Sequence, residues 1–280
     1  SPHSVLMTPD TNGQLPLSIA IARQATDDVI RPLLDRPDDI LTMDIHNGRT
    51  PLALAVEQAC SREIIQMLLN RSPPHICSAS DKNGKLPLHY IQSLTGPAVV
   101  TLLAENNHEM LLSPDSEGKL PIHYAIERRL SPAVVQVMTD FRPDSLSIAD
   151  KDGRLPVHFL RRRTPTSVQR MMIRLSTPEH LLTTDNEGSL PIHRAIIGRS
   201  SYEIIELLVD HCPASLLSFD NADKLPLHHA LAQEYSTRDW REELGGPNQV
   251  GITSLLAERS PETLALLDPH CQALLHTLCD

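Results

Sequence analysis

The chain is predicted to be all-α: a solenoid of helix–turn–helix units joined by short β-hairpin or turn connections. Three observations predict it. Proline recurs at Pro16, Pro51, Pro87, Pro121, Pro156, Pro191 and Pro226, at intervals of 35, 36, 34, 35, 35 and 35 residues. Each of these prolines stands in one phrase, which in its fullest form runs Asp-x-x-Gly-x-Leu-Pro-apolar-His. Between the phrases, apolar residues fall at helical rather than alternating spacing. A fixed period of this length marks a repeat architecture, in which each unit buries its apolar face only against its neighbours.

The phrase reads element by element. Asp81-Lys-Asn-Gly84-Lys-Leu-Pro-Leu-His89 returns as Asp115-Ser-Glu-Gly118-Lys-Leu-Pro-Ile-His123, then as Asp150-Lys-Asp-Gly153-Arg-Leu-Pro-Val-His158 and Asp185-Asn-Glu-Gly188-Ser-Leu-Pro-Ile-His193. The Asp-x-x-Gly stretch is a turn, with Gly supplying positive φ at its tip. Proline opens a helix at its first position, where its missing N–H is not needed. A short apolar helix follows, such as Leu88 to Ile91 or Ile122 to Ile126. After a polar turn comes a second helix, with Val99, Val100, Leu102 and Leu103, or Ile204, Ile205, Leu207 and Leu208, as its apolar face. In the fifth repeat the anchors shift to Val168, Met171, Met172 and Leu175. Ser131, ahead of Pro132, reads as an N-cap. Pro143, Pro178, Pro213 and Pro261 stop the second helices, and apolar segments such as Leu181-Leu182 and Leu216-Leu217 lead to the next turn.

This phrase resembles the ankyrin repeat, whose pattern is Asp-x-x-Gly-x-Thr-Pro-Leu-His-x-Ala, and the resemblance covers essentially the whole chain. Two departures stand out. The period is about 35 where the usual repeat has about 33. Leu replaces Thr before proline everywhere except at Thr50. Losing the Thr cap costs about 1 kcal/mol, while burying Leu returns about 1.5–3 kcal/mol. Leu15, Leu86, Leu120, Leu155, Leu190 and Leu225 are therefore expected to be buried as an apolar ladder between repeats.

The chain reads as a single domain, 1–280, of seven repeats with partial units at both ends. Residues 1–9 resemble the tail of a preceding repeat. The repeats fall near 10–43, 44–80, 81–114, 115–149, 150–184, 185–219 and 220–267, the last with an insertion at 234–248. Residues 268–280 form a degenerate partial repeat. Asp223 replaces the turn Gly in the seventh repeat, and Asp tolerates the left-handed region better than most residues. Since neither end carries a polar capping repeat, a longer natural chain, or other chains covering the ends, is expected.

Composition narrows the function. Net charge is −10, which repels phosphate backbones and makes a nucleic-acid partner unexpected. No apolar run approaches a membrane span. The five cysteines are irregularly spaced without a CxxC pair, so they read as free thiols in a reducing compartment such as cytoplasm, nucleus or an organelle interior. No cofactor or metal is expected; His211-Cys212 is the nearest approach to a ligand cluster. No GxSxG, HExxH, GxGxxG or Walker motif occurs, so the chain does not read as an enzyme.

His89, His123, His158, His193 and His228 recur once per repeat, about 10 Å apart if helix pairs stack, too far for shared coordination. The ankyrin resemblance implies that they brace neighbouring loops. Tyr90, Tyr124 and Phe159, one residue on, read as packing residues. Arg128, Arg129, Arg161, Arg162, Arg163, Arg194 and Arg199 cluster in first helices and the turns after them. Between Lys119 and Arg199 there are 13 basic and 8 acidic residues, net +5, so the rest of the chain carries −15. In ankyrin stacks this region lines the concave groove. The resemblance thus implies a protein-interaction scaffold or adaptor, with an acidic segment as the partner these arginines suit. A plain solvated face and a nuclear import patch are the competing readings of the arginines. Trp240, in the insertion, either folds back on the last repeats or anchors a partner. The alternatives for the whole chain are a regulatory or targeting segment of a longer enzyme or channel, and a structural subunit of a larger assembly.

Overall fold

A computed structural model of the chain describes residues 15–34, 48–73, 77–237, 250–269 and 271–272. Trp240, most of the 234–248 insertion and both proposed partial repeats, apart from 268–269 and 271–272, lie outside the described residues. Each recurrent proline begins a helical segment. The residue before it is extended, as at Leu15, Thr50, Leu86 and Leu120, the conformation that proline imposes on its predecessor.

The chain divides into two compact units, Ser1–Asp150 and Lys151–Asp280. The first contains α1 (Pro16–Ala22), α2 (Asp27–Leu34), α3 (Pro51–Glu57), α4 (Arg62–Arg71), α5 (Pro97–Asn106), α6 (Pro121–Glu127) and α7 (Pro132–Phe141). It also contains 3-10 turns at Pro87–Tyr90, His108–Leu112 and Pro143–Ser147. Two rows result. First helices pack side by side in the order α1, α3, Pro87–Tyr90, α6, and second helices in the order α2, α4, α5, α7. The second unit contains α8 (Thr166–Leu175), α9 (Pro178–Leu182), α10 (Pro191–Ile197), α11 (Tyr202–His211), α12 (Pro226–Thr237), α13 (Val250–Arg259) and α14 (Glu262–Ala265), with 3-10 turns at Pro156–Phe159 and Pro213–Leu217. It repeats the plan: Pro156–Phe159, α10 and α12 in one row, α8, α11 and α13 in the other. Apart from an isolated bridge at Arg49, the described residues contain no strand, so the connections between repeats are turns.

Buried aliphatic side chains fill the space between the rows, including Ile64, Ile65 and Leu68 on α4, Val100 and Leu103 on α5, Val134, Val135 and Met138 on α7, and Ile204, Ile205 and Leu208 on α11. The Leu residues before proline are all buried, between 0% and 7% exposed, as their hydrophobicity demands. Thr50 is buried too, and its hydroxyl accepts the Ala53 N–H at 3.2 Å.

Three local features differ from the sequence reading. Pro143, Pro178 and Pro213 end the second helices, but each also opens a further short helical segment. Ser131 occupies the N-cap position of α7 without a capping side-chain bond, whereas Ser61 caps α4 through the Ile64 N–H at 3.3 Å. On α8 the buried set is Val168, Gln169, Met172 and Ile173, and Leu175 is exposed.

The first helix itself varies in length, reaching twelve residues at Pro226. It runs seven residues at Pro51, Pro121 and Pro191 but stops after a four-residue 3-10 turn at Pro87 and Pro156. The long form carries Ala two residues after the motif His position, at Ala55, Ala125 and Ala195; the short form carries Ile91 and Leu160 there, all five 0% exposed. A large side chain in that enclosed place pushes the backbone out of the helix, and both Ile91 and Leu160 have extended-type ψ values, 139° and 119°.

Candidate partner-binding surface

Four of the turns between repeats are locked from inside by their Asp. Asp115 Oδ1 accepts the N–H groups of Glu117 and Lys119, both at 2.9 Å, and Asp81, Asp185 and Asp220 repeat the arrangement. Gly84, Gly118, Gly153 and Gly188 sit at φ between 72° and 75°, and Asp223 takes their place at 55°. In these four turns the second carboxylate oxygen receives the side chain that follows the motif His: the Tyr90 hydroxyl, the Tyr124 hydroxyl at 2.7 Å, Arg194 Nε at 2.5 Å, His229 Nε2 at 2.7 Å. Burial, and then the hydrogen bond to the carboxylate, pushes the phenols of Tyr90 and Tyr124 up. Burial works to raise Asp81, but the Tyr90 hydroxyl and the N–H groups of Lys85 and Asn83 outweigh it and hold the carboxyl below its usual range. A donor after the His was the sequence signal for this contact. The sequence pattern alone reads it as packing at Tyr90 and Tyr124 and as a partner contact at Arg194.

The motif histidines are interior. His89, His123, His158, His193 and His228 are 0–4% exposed. In each, Nδ1 accepts the N–H of the Leu three residues before, at 2.9–3.1 Å. Nδ1 as acceptor leaves the ring proton on Nε2, which His89 donates to Lys119 O at 3.0 Å and His158 to Thr183 O at 3.1 Å. One imidazole thus ties a helix start to the neighbouring turn. Burial is the main cause that lowers His89, His158 and His228, and it brings His193, next to His229, to about 4.

His228 also lies near Asp268 and Cys271, with ligand-type atoms within 4.8 Å of one another. The arrangement does not fit a metal. His228 Nδ1 is taken by Leu225 N–H, so its Nε2 carries a proton. Asp268 accepts from Lys224 Nζ at 2.8 Å and from Cys271 N–H at 2.7 Å. Of the other Cys/His pair, His211 is exposed and Cys212 buried.

The seven arginines separate into two kinds. Arg128 is half-buried: its Nη1 donates to His89 O at 3.0 Å and Ile91 O at 2.7 Å, and its guanidinium lies 4.8 Å from the Tyr124 ring centre. Arg194 is half-buried and ion-paired to Asp185 and Glu187. Arg129, Arg161, Arg162, Arg163 and Arg199 are exposed and make no ion pair among the described residues.

The second unit brings four of these together. Arg162 N–H donates to Gly198 O at 2.9 Å, joining the Arg161–Thr164 turn to the Gly198–Arg199 turn. A Cβ at Gly198 would stand 2.9 Å from Arg194 O and 3.0 Å from Arg161 Cγ, so a side chain there would force the two turns to shift. Thr164 N–H closes the first turn onto Arg161 O at 2.8 Å. Buried Gln169 sends Nε2 to Arg161 O at 3.2 Å and to Thr164 O at 2.7 Å.

Helix pairs whose buried Asp and His fasten one turn to the next, and whose turns present the exposed side chains, define a helical-repeat protein. Residues 47–79 match the family model of the ankyrin repeat. Among solved structures, the crystal structure of the ankyrin repeat domain of Bcl-3, described as a unique member of the IkappaB protein family, is similar to this chain. The TM-score is 0.59 at 19% identity, over 78% of this chain and 94% of that one. In sequence, no curated protein matches. The fold is the ankyrin-repeat solenoid.

Proposed function

We propose that the chain is a protein-interaction scaffold that binds an acidic segment of its partner. Ankyrin repeats are generally interaction modules rather than enzymes, and the exposed arginines of the second unit stand on hydrogen-bonded turns. One observation carries the acidic partner: Arg161, Arg162, Arg163 and Arg199 are presented on two turns bonded to each other, with no ion pair among the described residues. The neighbouring arginines Arg154, Arg170 and Arg194 are by contrast paired with Asp152, Glu203 and Asp185. Clustered cations on an acidic chain steer an anionic segment and set its register. The face they occupy is the concave one in this reading. Arg129 of the first unit is a second exposed cation available to the same kind of partner.

Affinity capture with mass spectrometry supplies the partner, and the variant Arg161→Glu, Arg162→Glu, Arg163→Glu tests the site. Its affinity should fall at least tenfold, with a flatter dependence on salt than the parent shows. Unchanged affinity would remove the arginines and leave the scaffold.

A further inference from the structure

We infer that the anionic group taken by the Arg161–Arg163 and Arg199 turns is a phosphoryl group, so that the partner segment binds in its phosphorylated form. This rests on the acidic-segment reading above and narrows it. The first reason is the closeness of the residues that carry the positive charge. Three consecutive arginines occupy one tight turn, and Arg199 stands on the turn bonded to it through Arg162 N–H and Gly198 O at 2.9 Å. An extended acidic segment spreads its carboxylates, with residues facing one side about 7 Å apart. A phosphorylated side chain places nearly two charges and three acceptor oxygens at a single point.

The second reason is what the two turns withhold. Carbonyl oxygens repel an anion, and three of those at this spot are used internally. Arg161 O accepts from Thr164 N–H and Gln169 Nε2, Thr164 O from Gln169 Nε2, and Gly198 O from Arg162 N–H. Nearby carboxylates are held by other cations: Glu203 by Arg170, and Asp185 and Glu187 by Arg194. Thr166 and Ser167 are exposed directly after the turn, in a helix with neither an acidic residue in its first turn nor a side-chain cap. The third reason is residue type. All four cations are arginine, whose planar fork holds phosphate by paired N–H bonds, as the point charge of lysine does not.

The probe is inorganic phosphate, with acetate at equal ionic strength as the carboxylate comparison, followed through the Nε–H signals of the arginines by NMR. Phosphate should shift the signals of Arg161, Arg162, Arg163 and Arg199 to saturation, and at least tenfold lower in concentration than acetate. The shifts should vanish in the parallel variants Arg162→Gln and Arg199→Gln, with Arg174→Gln, on an exposed helix face, as the folded control. Equal, unsaturated shifts with both anions overturn the phosphoryl assignment. If that happens while the triple Glu variant still loses the captured partner, the acidic-segment reading stands without it. If the triple variant keeps the partner, that reading falls as well.

Discussion

Residues 87–96 and 156–165 solve one structural problem in the same way and show different chemistry to the outside. In both, a large residue after the motif His, Ile91 or Leu160, cuts the first helix to a 3-10 turn. In both, a buried Thr eight residues after the phrase proline closes the loop. Thr95 Oγ1 accepts Gln92 N–H at 2.9 Å, and Thr164 Oγ1 accepts Arg161 N–H at 3.4 Å. Where the first helix runs seven residues, that same place holds a residue at positive φ: Gln24, Ala59, Arg129 or Arg199. The position before the Thr is Leu94 in one region, 83% exposed, and Arg163 in the other, also exposed. The interior therefore dictates the turn, and the turn leaves its outer side chains free to vary. Partner choice can change there without touching what keeps the repeat folded.

The motif histidine is common to the short and long forms, so acid should act on both. Its neutral ring is needed as an acceptor, and the folded values of His89, His158, His193 and His228 lie below the ordinary one. A depressed value means that the unfolded chain takes up protons first. Stability is then intact above about pH 6.5 and declines as pH falls toward 4, the value His193 keeps when folded, by at most about 1.4 kcal/mol per pH unit for each histidine. Urea unfolding at pH 7, 5.5 and 4.5 measures this. A flat profile would mean that the buried rings do not hold the repeats together.

The proposed cause of the short form is tested by its large residue. Leu160→Ala and Ile91→Ala should each lose about 2–5 kcal/mol, read by urea unfolding. The reverse changes, Ala125→Leu and Ala195→Leu, should lose about 1–3 kcal/mol by overpacking. Leu160→Ala should also gain helix content by circular dichroism, and an unchanged helix content would show that the large side chain is not what shortens the first helix.

Next in size is the phenol on the turn carboxylate. Tyr124→Phe leaves a buried oxygen of Asp115 without its 2.7 Å donor, a loss of about 1–3 kcal/mol. The fifth repeat has Phe159 in this place, beneath Arg154 at 5.1 Å. Phe159→Tyr should therefore change stability less than Tyr124→Phe does, by the same unfolding measurement.

Much of this was legible in the sequence. Seven prolines at one period announced the helix starts, and Leu before each of six announced its own burial. What the pattern did not show were contacts between residues whose phrase positions differ. Arg128 and Arg194 read as surface cations because nothing in the string says that one reaches His89 O and the other Asp185. The short first helices were hidden because Ile91 and Leu160 look like ordinary apolar helix residues. Only a neighbour occupying the space that Ala125 and Ala195 leave free shows them to be too large. The approach of Arg161–Arg163 to Arg199 was hidden for the same reason, since it depends on Gly198 having no side chain.

The smallest expected effect on stability is also the sharpest test of the opening comparison. Exchanging the outer residues, Leu94→Arg in one protein and Arg163→Leu in another, should leave unfolding free energy within about 0.5 kcal/mol of the parent. Both side chains stand outside the packed rows, on loops closed by Thr95 and Thr164. Binding should respond where stability does not. Arg163→Leu should weaken capture of the acidic partner severalfold and lessen its salt dependence, because one guanidinium leaves the cluster while its turn keeps its shape. Leu94→Arg should leave that interaction unchanged. A loss of stability with either exchange would show that the outer residue supports the turn, and the separation of scaffold from display would fail at the place where it is most clearly drawn.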